Sequence, residues 1–173
     1  VESMSRAPFI VEKSAKPFPS VGNQTMWNSA IGWRMVNRAL PKHWTISNGE
    51  SAEKVAQEFG ITREAQDAFA ARSHQLAAQA WSQGVFADEI TQVPGFELAR
   101  DEGIRADASV ESLAGLKPLF ASDGSGTVTA GNSSQTSDGA GALIVVSEKM
   151  LKEFNLTPLA RFVSFAVRGV PPE

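Results

Sequence analysis

The sequence predicts an α/β chain built from two unlike regions, and three observations lead there. From about Gly131 onward, apolar β-rich runs alternate with a short helical pattern, as in a layered α/β core. Before that point, an irregular aromatic-rich stretch leads into two strong helical patterns and no such alternation. Between the two lies a segment dense in hydroxyls and small residues.

Composition sets the outer bounds. The 173 residues suffice for one ordinary domain with a core. Hydrophobic residues make up 42% and charged residues 20%, which is globular rather than disordered. A net charge of −3 gives no electrostatic grip on nucleic acid or on anionic lipid. With no cysteine, the chain holds no disulfide framework, no thiolate-bound metal and no cysteine nucleophile of its own. His43 and His74 lie far apart and offer no metal-ligand spacing, so no metal is expected. No apolar run approaches the roughly 20 residues that span a bilayer. The start Val1-Glu2-Ser3-Met4 has no initiator methionine, and the chain stops soon after an apolar run; both ends read as cut.

Taken in order, residues 5–48 are broken by Pro8, Pro17, Pro19 and Pro41. Phe9, Phe18, Trp27, Trp33 and Trp44 are scattered among them, as in a loop region packed onto something larger. A helix is predicted over 49–59, with Ser47 and Glu50 at capping-box spacing and Gly60 as its stop. A second follows over 63–83, capped by Thr62 and ended by Gly84. Its apolar face is expected to be Ala65, Phe69, Leu76, Ala80 and Trp81. Arg63 and Asp67 form an exposed i,i+4 pair worth a few tenths of a kcal/mol. Residues 89–93 read as a short strand stopped by Pro94-Gly95, and 109–116 as a short helix. The β-branched run 127–129 reads as a strand, with Asn132-Ser133-Ser134 as helix-cap residues after it. Residues 142–146 and 160–167 read as buried strands on either side of a helix over 148–154.

Two segments could carry chemistry. Small residues and hydroxyls over 127–142 let a ligand approach closely and meet its polar groups, although a tight turn with ordinary capping explains the same residues. The segment is not a P-loop. Arg105, behind Asp101 and Glu102, reads either as a solvated ion pair or as a cation for a nucleotide phosphate or base. His74 fits a surface or helix-packing role, and Asp138-Gly139 a turn or cap.

Four motifs in order then resemble one family. Val1-Glu2-Ser3-Met4-Ser5-Arg6 resembles the thiolase segment G-G-x-E-S-M-S, and Gly49-Glu50-Ser51-Ala52-Glu53 its T-A-E helix start. D-E-G-I-R … S-L-A-G-L-K-P-L-F over 101–120 is similar to a further signature, and T-V-T-A-G-N-S-S … S-D-G-A-G-A over 127–142 is the most specific. The segment I-G-W-R at 31–34 leans toward degradative thiolases acting on medium or dicarboxylic acyl chains.

The resemblance implies a layered α-β-α-β-α core, only partly present here, with an inserted α+β loop domain. Residues 1–6 would end the N-terminal half, 7–134 form the loop domain over the CoA site, 135–157 return to the N-terminal half, and 158–173 begin the C-terminal half. It also implies thiolytic cleavage or Claisen condensation of a 3-ketoacyl-CoA, through a cysteine nucleophile and an oxyanion hole. The family's cysteines, its histidine and its oxyanion-hole asparagine would lie outside these residues, so that the chain alone is expected to be inactive. By the same carry-over, Arg105 would approach the nucleotide end of CoA, Ser112 and Phe120 would line the groove, and Ala130, Gly131 and Ser134 would meet the pantetheine arm. Thr136 would stand near the tunnel wall. Asn48 occupies a place where many members have methionine. CoA and acyl-CoA are implied as substrates, with no other cofactor. A homodimer or homotetramer is expected, together with the remaining thiolase segments, in a cytoplasmic setting. The alternative is a non-catalytic CoA-binding or scaffold subunit.

Overall fold

The computed structural model describes residues 1–14, 23–30, 36–121 and 123–173. They fall into two units, Val1–Met35 with Ser137–Pro172, and Val36–Thr136 with Glu173. The motif at 31–34 lies outside the described residues, as do Pro17, Phe18 and Pro19.

The second unit is built on two capped helices. Helix α1, Asn48–Glu58, begins with the expected box: the Glu50 N–H donates to Ser47 Oγ, and the Ser47 N–H donates to Glu50 Oε2 at 2.7 Å. Helix α2, Arg63–Ser82, starts at Thr62, whose hydroxyl accepts the Ala65 N–H. Both helices end on a left-handed glycine, Gly60 at φ +64° and Gly84 at φ +68°. In each case the next residue donates back across the last turn, Ile61 to the Ala56 carbonyl and Val85 to the Ala80 carbonyl. Helix α3, Val110–Ala114, is short and packs on α2.

The buried face of α2 is not the apolar stripe that periodicity picks out. Asp67 is 1% exposed and Ala71 is buried, whereas Phe69 is 73% exposed and Leu76 is also exposed. The apolar core of this unit is small: Ala56, Ala71, Ala108, Leu113 and Val128.

The first unit has two short antiparallel pairs. Strand β1, Glu2–Ser3, pairs with β4, Asp138–Gly139, and β2, Phe9–Val11, pairs with β3, Met26–Asn28. Asp138 is therefore a strand residue rather than a turn or cap. Its carboxylate accepts both the N–H and the hydroxyl of Ser5, which hold its pKa below the ordinary aspartate value. Helix α4, Glu148–Glu153, forms where a helix over 148–154 is predicted, and Ser147 caps it, its hydroxyl accepting the Met150 N–H.

Several expected strands are absent among the described residues. Residues 142–146 and 160–167 pair with no strand and are exposed, Ile144 at 87% and Phe162 at 79%. A strand exists only against a neighbour that takes its backbone groups. Residues 89–93 form no strand: the turns after α2 run on to Glu89, with the Ile90 N–H bonded to the Phe86 carbonyl, and the turn at Pro94-Gly95 forms. Residues 127–129 make only an isolated bridge, Thr129 to Pro118, because side chains take up their N–H groups.

Candidate functional site

The hydroxyl-rich segment begins as a turn clamped from beneath. The Glu53 carboxylate of α1 accepts the N–H groups of Thr127 and Val128 at 2.8–2.9 Å and the Thr127 hydroxyl at 2.8 Å. Burial alone would raise its pKa. The three donors outweigh burial and hold it below the ordinary glutamate value.

The other end of the turn is held by Asn132. Its Oδ1 accepts the Thr129 N–H at 2.8 Å, and its Nδ2 donates to the Thr127 carbonyl at 2.9 Å and to Asp67 Oδ1 at 3.1 Å. Thr129, 0% exposed, accepts from the N–H groups of Gly131 and Asn132. Asn132 thus faces inward and caps no helix. Gly131 has no room for a side chain, since a methyl there would come within 2.4 Å of the end of Leu116 and 2.6 Å of the end of Leu113.

Helix α2 organises the remainder. Arg63, Asp67, Ala71 and Gln75 stand at i,i+4 spacing on one face. Arg63 Nε meets Asp67 Oδ2 at 2.7 Å, and its Nη2 donates to the carbonyls of Leu113 (2.7 Å) and Leu116 (3.1 Å). The pair is therefore a buried tie between elements, not the exposed surface pair its spacing suggests. The buried carboxylate is compensated by charge and by hydrogen bonds, as burial demands. Farther along, Gln75 Nε2 donates to the Ala108 carbonyl, and His74 Nδ1 accepts the Arg105 N–H at 3.2 Å.

These ties bring several of the sequence-selected residues onto one frame. Arg105 rests by its backbone on His74, and its guanidinium makes no ion pair among the described residues. Ser112 lies in α3 and forms a reciprocal cap with Ser109. The next residue, Leu113, backs Gly131. Ala130 and Ser134 lie on the outer side of the turn, exposed, and the Ser134 hydroxyl has no hydrogen bond to a described residue. Phe120 stands apart from this group, its ring over Gly49 at the start of α1, where a methyl would come within 2.3 Å of it. Thr136 is exposed and tied to none of them. Gln135 closes the frame: its amide packs on Gly103, two residues before Arg105. The sequence marks Asn132 only as a helix cap, Asp67 only as an exposed partner of Arg63 and Glu53 only as part of a helix-start motif, and it does not single out Gln135.

The chain itself matches a known family. Residues 1–149 match the family described as the N-terminal domain of thiolase. The chain is 44% identical over 180 residues to the 3-oxoadipyl-CoA/3-oxo-5,6-dehydrosuberyl-CoA thiolase of Escherichia coli (strain K12), covering 99% of this chain and 44% of that protein. It is 42% identical over 176 residues to a 3-ketoacyl-CoA thiolase of Bacillus subtilis (strain 168), covering 93% of this chain and 43% of that one. Among solved structures, human mitochondrial 3-ketoacyl-CoA thiolase in complex with CoA superposes with a TM-score of 0.74 at 34% identity, over 91% of this chain and 39% of that one. Acat5 thiolase from Ascaris suum in complex with coenzyme A gives 0.71 at 34%, with the same coverage. The chain belongs to the thiolase family, and its fold is the α/β fold of those structures. It spans less than half the length of the curated relatives it matches.

Proposed function

We propose that this chain supplies the CoA-binding portion of an acetyl-CoA acyltransferase that cleaves or forms 3-ketoacyl-CoA. The observation that carries the reading is the clamped turn. Its inner polar groups are met by protein, its outer face offers the Ser134 hydroxyl, and α2 ties it to the Arg105 loop. Relatives solved with CoA bound support the ligand. In this reading Arg105 meets the nucleotide end, Ser112 and Phe120 line the groove, Ala130, Gly131 and Ser134 hold the pantetheine arm, and Thr136 stands near the tunnel wall. Residues 7–134 then cover the site, between flanking pieces of the two thiolase halves. The reacting cysteine and histidine come from outside these 173 residues, which contain no cysteine. The 173-residue chain alone therefore gives no thiolysis of acetoacetyl-CoA. Relatives named for 3-oxoadipyl-CoA and for beta-ketoadipyl-CoA favour a dicarboxylic acyl group. Assembly as a homodimer or homotetramer and a place in acyl-CoA degradation complete the proposal.

The test is made in the thiolase that carries this chain. Removing one neutral hydrogen bond costs about 0.5–1.5 kcal/mol, so Ser134→Ala should weaken CoA binding by about several-fold. The same substitution should weaken a truncated pantetheine substrate equally. Arg105→Ala should weaken CoA and spare the truncated substrate. Unchanged affinities for both in Ser134→Ala would reduce the turn to a structural feature.

A further inference from the structure

The CoA reading assigns a role to the outer face of the 130–134 turn but says nothing of what fixes that face in space. The hydrogen bonds answer the question. Asn132 makes three of them with its one amide, two to the backbone of Thr127 and Thr129 just before the turn and one to Asp67. Asp67 is the most buried charged side chain of its unit and is itself fixed by Arg63. Arg63 in turn grips the carbonyls of Leu113 in α3 and of Leu116 just after it, and the side chains of these two leucines form the wall behind Gly131. The turn is therefore seated twice by one chain of contacts: by the Asn132 amide in front and by the leucine wall that Arg63 holds behind. The Arg105 loop takes its support from the same helix at His74, through a contact that does not pass through Asn132.

We infer that Asn132 is a positioning residue for the ligand arm, acting through Asp67 and Arg63 to hold the 130–134 turn against CoA. This rests on the reading of that turn as the pantetheine contact. A side chain that touches no ligand then governs affinity for one part of the ligand only. Loss of the Asn132 amide releases the turn while leaving the His74–Arg105 contact in place. The affected half of CoA is the arm, not the nucleotide.

The experiment measures binding of CoA and of adenosine 3′,5′-bisphosphate, which presents the nucleotide end alone, to the whole thiolase. Asn132→Ala should weaken CoA by about tenfold, the scale of one disrupted hydrogen-bond set. Binding of adenosine 3′,5′-bisphosphate should be unchanged. Asn132→Asp, which sets a carboxylate against Asp67, should act at least as strongly. Adding Asp67→Asn to it restores a donor across that gap and should recover part of the affinity. Should Asn132→Ala fail to fold, Asn132→Ser, too short to reach Asp67, gives the same comparison. Ser147→Ala, which removes the cap of α4, serves as a destabilised control and should leave both affinities intact. The inference is overturned if CoA affinity survives the Asn132 substitutions, if both ligands weaken together, or if Asp67→Asn gives no recovery. Wild-type enzyme that binds CoA no more tightly than adenosine 3′,5′-bisphosphate would overturn the pantetheine reading along with it, and so separates the two failures.

Discussion

Glu53 shows how one carboxylate can replace a strand partner. It takes up the backbone donors of Thr127 and Val128, which a sheet would otherwise have used. Because its folded-state pKa is lowered, its contribution to stability is present above the ordinary glutamate value and is lost as pH falls through the lowered value. Glu53→Gln, which keeps one acceptor oxygen and loses the charge, should therefore lower the melting temperature most near neutral pH. The gap to wild type should shrink under acid conditions; a gap independent of pH would show that the charge is not used. At this scale the sequence was partly legible. Gly131 and Ser134 stood out by composition and motif. Asn132 looks like a helix cap in the sequence, since a side-chain amide followed by serines suits a cap as well as an inward clamp. Asp67 looks exposed there, because i,i+4 spacing gives a pair but not the face that is covered.

Helices were legible and strands were not, for a physical reason. A helix closes its hydrogen bonds within itself, and its caps are local, so Ser47 and Thr62 mark their starts correctly. Ser47→Ala removes the acceptor for the Glu50 N–H and half of the box. It should cost about 1 kcal/mol in chemical denaturation. A loss near zero would mean that Glu50 alone holds the end of α1. A strand borrows its partner from elsewhere, so a run such as 127–129 carries strand propensity without a strand. The face of α2 was misread for a related reason. Periodicity ranks faces by apolar content, whereas this helix buries the face whose polar groups have partners.

For the whole molecule, the α/β class and the thiolase family were legible from motif order, while the surroundings of the core strands were not. Residues 142–146 and 160–167 present apolar side chains to solvent, Phe165 and Val167 among them. Apolar, β-prone and unpaired segments invite association. The isolated 173-residue chain should therefore bind a hydrophobic dye strongly and self-associate on warming. A monomer with a sharp, cooperative melting transition would count against this expectation. No described helix is long and apolar enough to cross a membrane.

The supports on α2 impose a rule of phase on its evolution. Asp67 serves the turn and His74 serves the Arg105 loop, seven residues apart, or about 10 Å along the axis. One residue inserted between them swings the later support around the helix by about 100°, away from the loop it holds. Seven inserted residues restore the bearing within about 20° but separate the supports by about another 10 Å. Substitutions at the outward positions Phe69, Arg72 and Leu76 disturb neither quantity. Proteins that keep both supports should therefore keep the number of residues between them, whatever side chains stand on the outer face of this helix.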